Sequence, residues 1–316
     1  MILNRTSYIG LEPQIKNLPI FYQSWYLDLI CQDRNWEVIA CKGLDDKVIG
    51  IWPIIKYKKL GFTFAMNPLY TPFCGPLIFD DNTNKKPQKA DSFEKKALFS
   101  LIDQLPKAVV PLKIKCSPKI RNWLPFYWKG FTQTTRYTYQ LNLEEKNKIE
   151  AGYTSKLRNI INSAEVDVIE SQDETLALSL INETLNRKEK SLAIDKQIFF
   201  EIDQGLKNTN NRKIFIAKNH KNVVIGCTYI MLSQDIAYMM FIGSKDLQKA
   251  ESGAIRKLIH YSIFNLPSHI KSFDFEGSMI QDVEHLFRSF GGRRVAYHEI
   301  SRVKNKWLRA ILALKE

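Results

Sequence analysis

The most restrictive feature of the chain is the stretch Lys213–Gly243. Three apolar, β-branched segments, Lys213–Lys218, Val223–Leu232 and Asp235–Gly243, are separated only by His220-Lys221-Asn222 and Ser233-Gln234. Connections this short join antiparallel neighbours, so the stretch is predicted to be a three-stranded meander. One face of such a sheet needs cover, and the flanking sequence supplies helices. Upstream lie a helix over Tyr153–Ala164, a strand over Glu165–Glu170, a helix capped by Asp173 with Leu176, Leu180, Ile181 and Leu185 inward, and a helix over Lys196–Leu206. Downstream come a helix over Ser252–Phe264, a strand over Lys271–Glu276, a helix over Gln281–Phe290 closed by Gly291-Gly292, and a strand over Arg293–Arg302. Lys304–Leu314 reads as a short amphipathic helix.

The first half follows the same grammar. Phe21, Trp25, Leu29 and Ile30 have helical spacing, with Ser24 as a cap. Trp36–Cys41, Val48–Lys56 and Gly61–Met66 read as strands, followed by a Pro- and Gly-rich loop over 67–76. Asp80–Asp91 reads as a linker, Ser92–Leu105 as an amphipathic helix, Val109–Cys116 as a strand and Pro118–Leu124 as a helical turn. Phe126–Phe131 and Thr135–Leu143 are aromatic and strand-like. The repeated order, in a chain of 316 residues, predicts an α/β protein of two like domains. Each is expected to be a mixed, mostly antiparallel sheet flanked by helices. The polar run Leu143–Lys148 sets expected domains at 1–147 and 148–302, with a tail at 303–316.

The net charge is +13, and residues 1–140 hold 20 Lys and Arg against 11 Asp and Glu. That imbalance suits an anionic partner, whether nucleotide, tRNA, phosphorylated precursor or membrane surface, and equally a solvated lysine-rich surface. The longest nearly unbroken apolar run, Val48–Ile55, is too short for a bilayer, which takes about 20 residues. The start of the sequence has no signal-peptide order, so a cytoplasmic location is expected. Cys31, Cys41, Cys74, Cys116 and Cys227 are dispersed, as are the five histidines. Reduced, buried thiols and no metal site are expected.

Phe273-Asp274-Phe275-Glu276-Gly277-Ser278, followed by Val283, Phe287, Phe290, Gly291 and Gly292, carries a more specific signal. With the element order of the second half, it resembles the GCN5-related N-acyltransferase (GNAT) superfamily, and within it the second domain of the Fem-like branch. Trp25-Tyr26-Leu27, Trp36–Ile39, Pro68–Thr71 and Cys74-Gly75-Pro76 in the first half are similar to that branch too, as is Ser155–Ile161. The resemblance implies a splay between the fourth and fifth strands of a domain, which exposes main-chain groups to an acyl thioester. It also implies that the next helix offers its N-terminus to a pyrophosphate. The branch includes peptidoglycan aminoacyltransferases that use aminoacyl-tRNA. Gln248–Gly253 departs from the superfamily's loop pattern, because Glu251 stands where a glycine belongs. No insertion long enough for a coiled-coil arm follows Leu185–Leu192.

Candidate residues follow from these readings. Glu276 is the candidate base toward an attacking ammonium, or else an ion-pair partner of Arg293 or Arg294. Asp274 alternates with it and would share its face in a regular strand, raising one carboxyl's pKa, or would serve as a structural acceptor. Tyr238 is the candidate proton donor, with a core tyrosine as the alternative. Backbone amides near Phe241 and Ile242 are candidates to polarise a carbonyl, beside Gly243 at a strand end that must open. Gln248, Ser252, Gly253 and Ala254 are the candidate cofactor-binding residues. Lys156, Arg158 and Arg187 are candidates for an anionic substrate, Tyr70 and Thr71 for the acceptor cleft, and Ser278 for substrate or a helix cap. The expected activity is acyl transfer from an acyl-CoA-type thioester to a small-molecule or peptide amine. The donor site is expected in the second domain and the acceptor site in the first, with its own catalysis lost. An aminoacyl-tRNA-dependent transferase and a non-catalytic binding protein on the same scaffold are the alternatives.

Overall fold

The computed structural model describes all residues except 32–34, 44, 60–61, 69, 80–85, 108, 188–193, 247–252, 278 and 304–316. The chain forms two compact units, Met1–Arg136 with the chain from Ala296 onward, and Tyr137–Val295. The expected cut after residue 147 is not where the contacts divide. The division falls inside two long strands, because a strand can pair with one sheet over part of its length and another over the rest.

In unit 1, β1 (Ile2–Leu3), β2 (Trp36–Lys42), β3 (Val48–Lys59) and β4 (Phe62–Met66) are antiparallel in that order, and β5 (Leu77–Ile78) also pairs with β3. β6 (Val109–Lys115) runs parallel to β4. The end of β13 (Arg293–Arg302) pairs antiparallel with β6. α3 (Pro87–Asp103) lays Ala97, Leu98, Leu101 and Ile102 against Trp52, Ile54, Ala65 and Ile114. It begins five residues before the expected Ser92, since Pro87 suits the first helical turn, where no amide is needed.

Three short helices complete the unit. α1 (Arg5–Leu11) was not foreseen and is capped by Asn4, whose Oδ1 accepts from the Ser7 amide at 2.9 Å. α2 spans Ser24–Ile30, with Gln23 and not Ser24 at its N-cap. α4 (Leu124–Trp128) replaces the expected strand over Phe126–Phe131. Pro125 starts this helix, and Gly130, at φ +77°, turns the chain out of it.

Unit 2 is built on six strands. Their order is β7 (Thr132–Asn142), β12 (Ser272–Asp274), β11 (Ile236–Ser244), β10 (Val224–Ser233), β9 (Arg212–Asn219) and β8 (Val166–Ser171). Only β11 and β12 run parallel; β8 to β11 form antiparallel pairs, including the expected meander. A short helix, α5 (Lys146–Ile149), precedes α6 (Ser155–Ser163), which is capped by Thr154. α7 (Glu174–Arg187) is capped by Asp173, as the sequence predicts, with Asp173 Oδ1 2.8 Å from the Leu176 amide. α8 spans Lys196–Asn208, α9 Ala254–Phe264 and α10 Gln281–Ser289.

Side-chain alternation along β10 places these helices on opposite faces. Gly226 faces Ile255 of α9, and Thr228 Oγ1 lies 2.8 Å from Ser262 Oγ of the same helix. Between and beyond them, Cys227 Sγ lies 3.6 Å from the Ala177 carbonyl of α7, and the Tyr229 hydroxyl donates to Asp203 of α8 at 2.8 Å. The core on the α9 side gathers Leu157, Ile161, Phe215, Leu258, Ile259, Phe273, Phe275 and Phe290. All five cysteines are buried thiols outside any disulfide, and burial pushes the Cys74 and Cys227 thiols up to about 12.

Candidate active site

The site grows from the way β11 and β12 separate. They are the fourth and fifth strands of unit 2 counted from β8. Pairing is confined to Ile236–Ser272, Ala237–Phe273 and Tyr238–Asp274, although β11 has nine residues. From Met239 to Ser244, the strand pairing of β11 among the described residues is with β10. A bulge marks the change: Tyr229 opposes Phe241 and Ile230 opposes Met239, leaving Met240 as the extra residue.

Each strand is held away from the other by its outer neighbour. The far end of β11 is fastened to α7. The Ser244 amide donates to Thr184 Oγ1 at 2.7 Å, and its carbonyl accepts from Arg187 Nη2 at 2.6 Å. Gly243 lets the strand lie directly on α7, since a Cβ there would come within 2.6 Å of the Ile181 nitrogen. On the other side, the chain after β12 stays with β7. The Phe275 amide donates to the Tyr139 carbonyl at 3.0 Å. Gly277, at φ +48°, fits against Tyr137 so closely that a Cβ would overlap the Tyr137 carbonyl oxygen.

Asp274 fixes the turn at the apex of this opening. It is buried, and it accepts from Thr138 Oγ1 at 2.5 Å, Gln140 Nε2 at 2.8 Å and the Glu276 amide at 2.8 Å. That last bond holds Glu276 at φ +62°, a left-handed conformation unusual for this residue type. The strand therefore ends at Asp274, and the expected shared face of Asp274 and Glu276 in a regular strand does not form. Burial, not the neighbouring carboxylate, raises the Asp274 pKa, against the pull of its three donors. Asp274→Asn puts an amide N–H among donors and is expected to destabilise the protein by about 2–3 kcal/mol. Chemical denaturation measures this as a lower midpoint at unchanged slope.

Tyr238 lies opposite Asp274 in the ladder and is buried. Burial, then the charges of Asp274 and Glu276, lift its phenol pKa well above the ordinary value. The phenol stays protonated and suits hydrogen-bond donation better than proton release. Glu276 is half-buried just past the last ladder pair. The structure thus brings Tyr238, Asp274 and Glu276 to one point, where the strand edge carrying Phe241 and Ile242 begins. Met240, Phe241 and Ile242 are partly exposed. The Ser244 amide points off the β10 ladder, and the period-two geometry of a strand aims the Ile242 amide along the same edge.

Gly253 and Ala254 form the start of α9. Gly253, the N-cap, brings no side chain to the first amides, and the positive end of the helix lies at that turn. Its missing Cβ also lets α9 lie against Ala164 and Ile160 of the α6 segment. Gln248, Ser252 and Ser278 lie outside the described residues.

The remaining candidates have other partners. Arg187 binds both the carbonyl and the hydroxyl of Ser244 and so fastens β11. Lys156 and Arg158 are exposed on α6, with Arg158 3.4 Å from the Glu150 carbonyl and from Ser155 Oγ. Tyr70 and Thr71 belong to unit 1. Tyr70 has φ +60° and its carbonyl accepts from the Tyr26 hydroxyl at 2.5 Å; Thr71 is buried and its carbonyl accepts from Asn67 Nδ2 at 2.7 Å. Sequence reasoning missed Thr138, Gln140, Met240 and Thr184. Thr138 and Gln140 left a trace, being alternate polar positions in an aromatic strand that share one face.

Among solved structures, FemX matches over 98% of this chain and 98% of its own, at TM-score 0.66 and 13% identity. The fold is a tandem GNAT fold of the Fem-like type. Two further structures match over nearly the whole chain. A tandem GNAT protein from the clavulanic acid biosynthesis pathway covers 95% of this chain and 97% of its own, at TM-score 0.50 and 8% identity. L-PGS from Bacillus licheniformis covers 96% and 95%, at TM-score 0.52 and 12% identity. No family model and no curated protein matches the chain. In the tandem GNAT frame, the opening between β11 and β12 is the splay that the sequence resemblance implies. Among the described residues, no cluster of metal-ligating side chains and no helix long and apolar enough to cross a membrane is present.

Proposed function

We propose that the protein is an acyltransferase that moves an acyl group from an acyl-CoA-type thioester to an amine at the β11–β12 opening of unit 2. The one-sided opening carries this reading: β11 continues for six residues beyond its last β12 partner, Met239–Ser244, with an edge to offer. The amide-bearing arm of a CoA-type donor can pair with such an edge as a strand would, through main-chain groups. The residues present fit a CoA-like donor. The β11 edge would hold its amide arm, and the Ala254 turn of α9 its pyrophosphate; the donor supplies an activated carbonyl. Amides on the open edge of β11, that of Ile242 among them, would stabilise negative charge on the carbonyl oxygen, while the same alternation turns the Phe241 amide toward β10. Glu276 would take the proton that the attacking amine must lose as the C–N bond forms and the C–S bond breaks. Asp274 would position Glu276 through its amide.

Unit 1 supports an acceptor-binding role. Its corresponding parallel pair, β4 and β6, stays paired through Met66, the last residue of β4. Beyond it the Asn67 amide donates to the Lys113 carbonyl at 3.2 Å, and Asn67 Oδ1 accepts from Lys115 at 3.3 Å. Unit 1 therefore offers no comparable edge among its described residues.

A second reading, transfer from aminoacyl-tRNA, is favoured by the charge of +13 and by the likeness to FemX. Thermal unfolding with acetyl-CoA tests the first reading. Saturation at 100 times the dissociation constant stabilises the native state by about 2.7 kcal/mol and raises the unfolding temperature. No shift at millimolar acetyl-CoA, together with charged-tRNA binding that weakens steeply with salt, favours the second reading. Failure of both ligands supports the non-catalytic scaffold.

A further inference from the structure

The bulge beside the open β11 edge has a polar support of its own within unit 2. Tyr229 of β10 is the residue opposite Phe241, and the register shifts between it and Ile230. The Tyr229 ring is buried and packed on two sides, by Phe199 of α8 at 5.3 Å and by Phe241 at 6.2 Å. Its hydroxyl donates to Asp203 Oδ1 at 2.8 Å. The same oxygen lies 2.9 Å from Arg212 Nε, and the Arg212 and Asp203 side chains are only 2% and 3% exposed. Arg212 opens β9 opposite Met231. Its Nη2 reaches the Gln172 carbonyl at 3.4 Å and Glu174, the first residue of α7, at 3.5 Å. One connected set of polar contacts thus runs from the start of α7, through β9 and α8, to the ring that meets Phe241.

Packing alone does not call for this set. A phenylalanine at 229 would fill the same space. A buried ion pair adds little stability over apolar side chains of equal volume, because both charges lose their water. Its best-attested use is to hold one register against the alternatives. The alternative here is a regular ladder. Drawing Met240 into pairing with β10 would shift every later residue of β11 by one place and turn it to the opposite face. Phe241 would then leave Tyr229 for a place opposite Thr228, and the Ile242 amide would turn from the open edge toward β10.

We propose, on the acyltransferase reading above, that Tyr229 is a positioning residue for the acyl-transfer site, held in place by the buried Asp203–Arg212 pair. It keeps the bulge at Met240 and so keeps the Ile242 amide on the open edge. Tyr229 acts through Phe241 and the β11 register, not on the reacting atoms.

Tyr229→Phe in the full chain keeps the ring and removes the hydroxyl. Ser262→Ala is the control. It removes a buried hydrogen bond to Thr228, the preceding residue of β10, on the other face of the sheet. Both variants are expected to unfold at similar, slightly lowered denaturant midpoints. In the free protein, amide exchange across Met239–Ile242 is expected to quicken about three- to tenfold in Tyr229→Phe alone, the ratio that corresponds to one hydrogen bond. The same variant is expected to lose a similar factor in kcat/KM for acetyl-CoA, or for aminoacyl-tRNA if the wild type turns over that donor, while Ser262→Ala keeps the wild-type value. Should Tyr229→Phe fold poorly, Phe241→Leu loosens the same ring contact at a partly exposed position and is expected to quicken the same exchange. Wild-type exchange across Met239–Ile242 in both Tyr229→Phe and Phe241→Leu, or equal changes in Tyr229→Phe and Ser262→Ala, overturns the positioning role. A wild type that turns over neither donor instead overturns the acyltransferase reading on which that role depends.

Discussion

Glu276→Gln is expected to lower kcat/KM for acyl transfer by about 10²- to 10⁴-fold, the range that a positioned base contributes. The replacement keeps the shape of the side chain and removes its ability to take a proton. The backbone stays where it is, because the bond that sets φ at +62° runs from the residue 276 amide to Asp274. The unfolding temperature should therefore be unchanged. Glu276 sits immediately past the Tyr238–Asp274 pair, where the unpaired part of β11 starts, so in the proposed mechanism the base and the polarising amides would face one reacting centre. Steady-state kinetics with a range of amine concentrations checks the split. A fall in kcat at constant KM matches lost proton transfer; retained turnover removes Glu276 from the mechanism and favours a scaffold without catalysis.

The second large effect is on stability. Gly277→Ala is expected to cost about 3 kcal/mol or more, because two penalties add. The residue has φ +48°, which an L side chain rarely adopts, and its new Cβ would overlap the Tyr137 carbonyl while lying 2.8 Å from Thr138 Cα. These are backbone atoms of β7, so no side-chain rotation relieves the clash. Gly130→Ala separates the two causes. Its φ is +77°, yet nothing lies within 4 Å of the added Cβ, so about 1 kcal/mol is expected. Comparable losses in the two variants, measured by denaturant unfolding, would mean that the β7 contact does not hold the opening.

How far the sequence foretold this arrangement depended on how local each cause is. The meander was legible because two short turns leave β9, β10 and β11 no other way to pair. The α7 start was legible because Asp173 caps within its own turn. α4 was misread, since Phe126-Tyr127-Trp128 favours a strand in isolation while Pro125 and the burial of Phe126 make it a helix. The end of β12 was not legible at all. Its alternation runs on through Phe275 and Glu276, and what stops it is an acceptor, Asp274, held by Thr138 and Gln140 from 136 and 134 residues away. That Tyr238 and Asp274 come to stand opposite each other, with Glu276 just beyond, was legible only in part: Glu276 closes a predicted strand, whereas Tyr238 and Asp274 lie inside theirs and meet through the β11–β12 register. The partner of Arg187 was hidden, since Ser244 comes to it only through the packing of β11 on α7.

The most direct test of the open β11 edge is amide hydrogen exchange with and without a saturating donor, acetyl-CoA or a stable aminoacyl-tRNA analogue. Slowed exchange across Met239–Ser244 and the first turn of α9, with the paired Ile236–Tyr238 segment unaltered, is the predicted result. Proven donor binding that leaves exchange at Met239–Ser244 unchanged contradicts the account.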